Sequence, residues 1–172
     1  MFDFILDEIK ECLGNITEEY ISRVCYEIIS SKKIITIGAG RMGYSLKAFS
    51  MRLSHLGFNS FHLGDTNLPR IGPDDLVIIG SGSGETKTIV ELVNIAKSSG
   101  ATILTITHEL KSTIARISDF CIPINKIDST QLMKSVYEQS TYILYDKICY
   151  DIVHKYKKLD IKIVENNHSI LE

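Results

Sequence analysis

Leu76-Val77-Ile78-Ile79-Gly80-Ser81-Gly82-Ser83-Gly84-Glu85-Thr86 decides how the rest of the chain is read. The apolar run Leu76 to Ile79 has no polar interruption, the pattern of a strand buried on both faces. It ends in alternating serines and glycines, and a helical pattern over Glu85 to Ser99 follows, with Ile89, Leu92, Val93 and Ala96 inward and Gly100 as its stop. A strand that opens into a helix through such a turn makes a preorganised anion site. Glycines let the backbone approach a guest, the helix N-terminus points free N–H groups outward, and the hydroxyls add donors. No lysine or aspartate at metal-ligand spacing accompanies the turn. The expected guest is a small phosphomonoester held without a metal, not a nucleoside triphosphate.

Strand-like runs lie on either side. Ile34-Ile35-Thr36-Ile37 predicts a first strand, Asn59 to Leu63 a second, Thr102 to Thr107 a fourth and Phe120 to Ile124 a fifth, with Leu76 to Ile79 the third. Helical spacing separates them. Met42, Leu46, Phe49, Leu53 and Leu56 repeat by four and three, and Ser112 to Ile117 predicts a short helix. Phe2, Ile5, Ile9 and Leu13, then Ile21, Val24 and Ile28 after Thr17, predict an opening helical pair. A last helix runs from near Lys134 to about Tyr156, with Tyr137, Leu144, Ile148 and Ile152 on one stripe. Apolar strands alternating with helices imply α/β architecture: a three-layer, flavodoxin-like five-stranded parallel sheet with helices on both faces. The expected organisation is one domain over 1–172, with N-terminal helices in 1–31, the α/β core in 33–125, the last helix in 134–157 and a tail in 158–172.

Composition narrows the function classes. A chain of 172 residues suits one domain. A net charge of −2 offers no general attraction for nucleic acid or an anionic membrane. No stretch approaches the roughly 20 apolar residues of a membrane helix, and the acidic, amphipathic start is unlike a signal peptide. Cys12, Cys25, Cys121 and Cys149 are scattered and read as small buried hydrophobes in a reducing compartment, so a cytoplasmic protein is expected.

A second glycine turn, Gly38-Ala39-Gly40-Arg41-Met42-Gly43, follows the first strand. Alone it satisfies the dinucleotide fingerprint, with Asp65 near the place of a ribose-binding acid. Arg41 would crowd a pyrophosphate, however, and that reading leaves the Ser81 turn unexplained. Two such turns at the carboxyl ends of the first and third strands flank a switch point and could hold one sugar phosphate between them.

These turns resemble those of the SIS (sugar isomerase) domain family, together with Lys47-Ala48-Phe49-Ser50-Met51-Arg52-Leu53, Gly64-Asp65-Thr66 and Val136-Tyr137-Glu138-Gln139. With the tail Glu165 to Glu172, the chain is most similar to the 6-phospho-3-hexuloisomerase branch. The resemblance implies cofactor-independent interconversion of 3-hexulose 6-phosphate and fructose 6-phosphate, with no metal. It also implies a homotetramer with sites near subunit contacts and functional pairing with hexulose-phosphate synthase. The other readings are another SIS isomerase, such as one acting on a pentose phosphate, and a non-catalytic sugar-phosphate sensor.

Moving a carbonyl between adjacent carbons needs a base that takes a proton from one and returns it to the other through an enediol. Glu138 matches the family's catalytic glutamate; by itself it also reads as a first-turn glutamate complementing a helix dipole. Ser81, Ser83 and Thr86 match its phosphate-binding hydroxyls, where an ordinary helix cap would explain only one of the three. Gly40 and Arg41 belong to the first turn, Arg41 as a charge to steady phosphate or oxyanion. His168 matches a tail histidine that would come from a neighbouring subunit and move protons to sugar oxygens. His55, His62, His108 and His154 read as surface or packing residues, Arg52 as an ion-pair or interface residue, and Glu85 as pointing to solvent. Met42 stands where relatives usually carry serine, so either phosphate binding rests more on the Ser81 turn or the substrate differs.

Overall fold

The β-branched runs become five parallel strands in a computed structural model that describes residues 1–157 and Asn167. They are β1 (Ile34–Gly38), β2 (Ser60–His62), β3 (Leu76–Gly80), β4 (Thr102–Thr107) and β5 (Phe120–Pro123), in the order β2-β1-β3-β4-β5. Successive side chains point to opposite faces, and the sheet builds a core on each. Ile34, Leu76, Ile78, Leu104, Ile106 and Ile122 face one way, covered by α1 (Asp3–Leu13), α2 (Glu18–Ser30), α3 (Gly40–His55) and α6 (Val136–Asp151). Ile35, Ile37, Val77, Ile79 and Ile103 face the other, under α4 (Lys87–Ser98) and α5 (Thr113–Ile117). Full burial of one such aliphatic side chain contributes about 1.5–3 kcal/mol. The strand ends are therefore the most firmly held places from which to project a site.

The chain leaves β1 through α3 towards β2 on one side, and leaves β3 through α4 towards β4 on the other. The neighbouring strands β1 and β3 thus form the switch point, with Gly38 and Gly80 paired in register at their carboxyl ends. Glycine at position 80 answers to packing: a Cβ there would lie 2.5 Å from the Met42 methyl of α3. The expected stripe of α3 is present, with Met42, Leu46, Phe49 and Leu53 buried and the Phe49 ring stacked on Tyr145 of α6 at 4.3 Å.

Boundaries differ from the sequence reading where side chains intervene. The α4 helix begins at Lys87, not Glu85, because the Glu85 carboxylate accepts from the Thr113 N–H at 2.7 Å and so serves the start of α5. The C-terminal helix is broken at its start: a 3-10 turn (Leu132–Lys134) precedes α6, with Met133 and Lys134 both at φ 55°. A π-helical segment (Ile152–Lys157) continues it. Thr17 caps α2 as expected, accepting from the Tyr20 N–H at 3.4 Å. Cys12, Cys25 and Cys149 are buried free thiols, and burial pushes Cys25 up to about 12 and Cys149 to about 11. No helix among the described residues is long and apolar enough to cross a membrane.

Candidate functional site

A cleft of about 460 Å³ opens over the carboxyl ends of β1, β3 and β4. Its first wall is the Ser81 turn. Ser81 is buried and its Oγ accepts from the Gly84 N–H at 3.1 Å, while Ser83 Oγ accepts from the Glu85 N–H at 3.3 Å. Those bonds leave both hydroxyl hydrogens to donate to a guest. Thr86 stands at the α4 N-cap in extended conformation, without a capping side-chain bond, so its hydroxyl is also available. The first N–H groups of α4 have no acceptor within the helix.

Gly84 fixes the shape of this wall. Its φ is +63°, and a Cβ would fall 2.0 Å from Ser112 Oγ. The turn is stitched to the end of β4 as well: Thr107 Oγ1 and the His108 N–H both donate to the Gly82 carbonyl, each at 3.1 Å. Four contacts to fixed backbone hold the donors in place before any guest arrives, which is what anion recognition without reorganisation requires.

The facing wall is α3 against α6. Arg41 Nε donates to Glu138 Oε1 at 3.2 Å, and Nη2 reaches Oε2 at 3.4 Å. Nη2 also donates to the Met133 carbonyl at 2.8 Å. Arg41 is 48% and Glu138 20% exposed, and an ion pair this open contributes about 0–1 kcal/mol to the fold. Releasing the carboxylate or the guanidinium to a guest therefore costs the structure little. The Met133 carbonyl is aimed by a backbone in the left-handed region, which non-glycine residues seldom enter.

That loop is tied down from α1. Glu8 accepts from Ser129 Oγ at 2.7 Å, the Thr130 N–H at 2.8 Å, Thr130 Oγ1 at 2.7 Å and Gln131 Nε2 at 3.0 Å. These bonds, Ser129 foremost, hold the Glu8 carboxyl down at about 2.

The cleft thus brings together Arg41, Ser81, Ser83, Thr86 and Glu138. It does not include Gly40, which lines a separate hollow with Gly38, Gly43, Tyr44, Lys47 and His62. His168 lies outside the described residues. Met42 sits beneath the cleft, buried, with Thr141 Oγ1 3.7 Å from its sulfur. Asp65 accepts from the His62 N–H at 2.8 Å and lines a separate hollow rather than the cleft, so it lends the dinucleotide reading no contact there. Arg52 pairs with Asp146. His62 is packed as expected, its Nδ1 2.8 Å from Thr36 Oγ1.

His108 is not merely a surface or packing residue: it lines the cleft beside Lys126, Lys134 and Tyr137. Sequence reasoning passed over it because a lone histidine carries no motif. Its position directly after β4, the strand beside β3, was the usable signal, since switch-point clefts are lined by residues just beyond strand ends. Tyr137, buried, donates its hydroxyl to the Ile106 carbonyl at 2.7 Å, and burial pushes its phenol up.

An anion turn facing an arginine–carboxylate pair across the switch point of a parallel sheet marks the class: an α/β domain with its cleft at the sheet's carboxyl edge. The chain belongs to the SIS domain family, whose model matches residues 27–145. It is 34% identical to a 3-hexulose-6-phosphate isomerase of Bacillus subtilis over 98% of this chain and 95% of the relative. A Methanocaldococcus jannaschii protein of the same name is 33% identical over 84% of this chain and 80% of its own. A crystal structure from Methanococcus jannaschii, described as inferring a 3-hexulose-6-phosphate isomerase function, superposes with a TM-score of 0.90 at 30% identity. It covers 99% of this chain and 98% of that one.

Proposed function

We propose that this chain is a 6-phospho-3-hexuloisomerase, interconverting 3-hexulose 6-phosphate and fructose 6-phosphate through an enediol. The carrying observation is the Arg41–Glu138 pair set across one cleft from the Ser81 turn. The relatives of that name, similar over 98% and 84% of the chain, support the choice of sugar.

The phosphate sits on the hydroxyls of Ser81, Ser83 and Thr86 and the first N–H groups of α4. Glu138 takes the proton from carbon 2 and returns it to carbon 3. Arg41, already beside that carboxylate, steadies the negative oxygen that develops when the proton leaves. His168, from a neighbouring subunit, serves ring opening of cyclic fructose 6-phosphate in the reverse direction. Gly40 contributes backbone to the first turn rather than a cleft contact.

In this reading the protein is a cytoplasmic homotetramer in the ribulose monophosphate pathway of formaldehyde fixation, consuming the product of hexulose-phosphate synthase. Met51 of α3 and Tyr142, Ile143 and Tyr150 of α6, all exposed, supply an apolar face suited to self-association.

Glu138→Gln tests the reading. Turnover of fructose 6-phosphate is expected to fall by about 10²–10⁴-fold while its binding persists. Undiminished turnover overturns the role of Glu138, and a parent protein that binds the sugar phosphate without converting it is a sensor.

A further inference from the structure

Carbonyl migration between carbons 2 and 3 moves two protons, and Glu138 accounts for only the one on carbon. The other must leave the oxygen on carbon 2 and reach the oxygen on carbon 3. A neutral imidazole with a nitrogen lone pair facing the enediol is suited to that transfer.

His108 is placed to be that group. Its ring lines the same cleft as Glu138 and the Ser81 turn. Three features fix its orientation. Nδ1 lies 3.0 Å from the Ile124 carbonyl, which can only accept, so Nδ1 carries the proton and Nε2 carries the lone pair. The ring packs on Tyr137 with centroids 4.3 Å apart. Its backbone N–H is held by the Gly82 carbonyl of the anion turn at 3.1 Å. The imidazole is therefore locked in one tautomer between the phosphate-binding turn and the residue that precedes Glu138 in sequence. Burial lowers its pKa, helped by Lys126 and Lys134 and opposed by the Ile124 and Asn125 carbonyls, so the neutral form prevails at neutral pH.

Resting on the isomerase reading, we propose that His108 Nε2 relays the proton between the two enediol oxygens. In the forward direction Glu138 removes the carbon 2 proton. The electron pair forms the carbon 2–carbon 3 double bond, and the oxygen on carbon 3 becomes an oxyanion. Nε2 takes the proton from the oxygen on carbon 2 and gives it to the oxygen on carbon 3, returning to neutral imidazole. The oxyanion on carbon 2 then closes to the carbonyl as carbon 3 takes the proton from Glu138. No electron acceptor or metal enters this balance.

The test uses the full chain with fructose 6-phosphate in D₂O, following deuterium entry at carbon 3 and formation of the 3-hexulose separately. His108→Asn keeps a donor for the Ile124 carbonyl, and His108→Gln stands beside it should the shorter side chain loosen the Tyr137 packing. Conversion is expected to fall by about 100-fold, KM to stay within about threefold, and deuterium entry to stay within about tenfold of the parent. Unchanged conversion, or equal loss of conversion and exchange, overturns the relay. A parent protein showing neither conversion nor exchange overturns the isomerase reading itself, and the relay with it.

Discussion

Ser83 and Gly84 are adjacent and answer to different forces. The Ser83 hydroxyl is exposed and spends only its lone pair, on the Glu85 N–H, so its loss should act on the guest. Ser83→Ala is expected to weaken fructose 6-phosphate binding by about 1.5–3 kcal/mol, the worth of a hydrogen bond to a charged group. Calorimetry checks it, and unchanged affinity would remove Ser83 from the anion site. Gly84→Ala should act on the fold. A left-handed backbone and a Cβ pressed on Ser112 together cost about 2–5 kcal/mol, read as a lowered urea midpoint. The alternation of serine and glycine carried the site reading because it has no use in an ordinary capped helix. His108 was illegible for the opposite reason: its role comes from what the fold sets around it.

Among the elements, the loop between β5 and α6 was the hardest to read. Its residues 125–135 carry no periodicity, and nothing local announces the left-handed Met133 and Lys134; the Met133 carbonyl is met by Arg41 of α3. Glu8 of α1, more than a hundred residues earlier in the chain, ties down Ser129, Thr130 and Gln131 just before these two. Its carboxyl is held at about 2 against an unfolded value near 4.5, so the stability it lends is present above pH 4.5 and is lost as pH falls towards 2. Glu8→Gln should remove that part of the acid sensitivity and raise amide exchange across residues 125–135. If exchange in that loop is unchanged at pH 7, α1 does not hold it. The strands, by contrast, were plain in the sequence: apolar runs buried on both faces leave little choice of element. The two edge strands, each paired on one side, fell short of their expected spans: β2 forms three residues where five were expected, and β5 four where five were expected.

At the scale of the molecule, chain order alone placed the site. Once five parallel strands alternate with helices, the reversal between β1 and β3 brings the Gly38 and Ser81 turns together, and α6 returns over them with Glu138. The apolar face proposed for self-association was not legible, because Met51, Tyr142, Ile143 and Tyr150 read as ordinary helix positions until their exposure is seen. Light scattering is expected to report a tetramer, and a strict monomer would contradict a role for His168 across subunits. Isomerisation of a 3-keto hexose phosphate in this cleft is read by a coupled assay with hexulose-phosphate synthase, formaldehyde and ribulose 5-phosphate. Fructose 6-phosphate should accumulate only when this chain is present, and should fall away with Glu138→Gln. Consumption of formaldehyde with no fructose 6-phosphate formed would contradict the account.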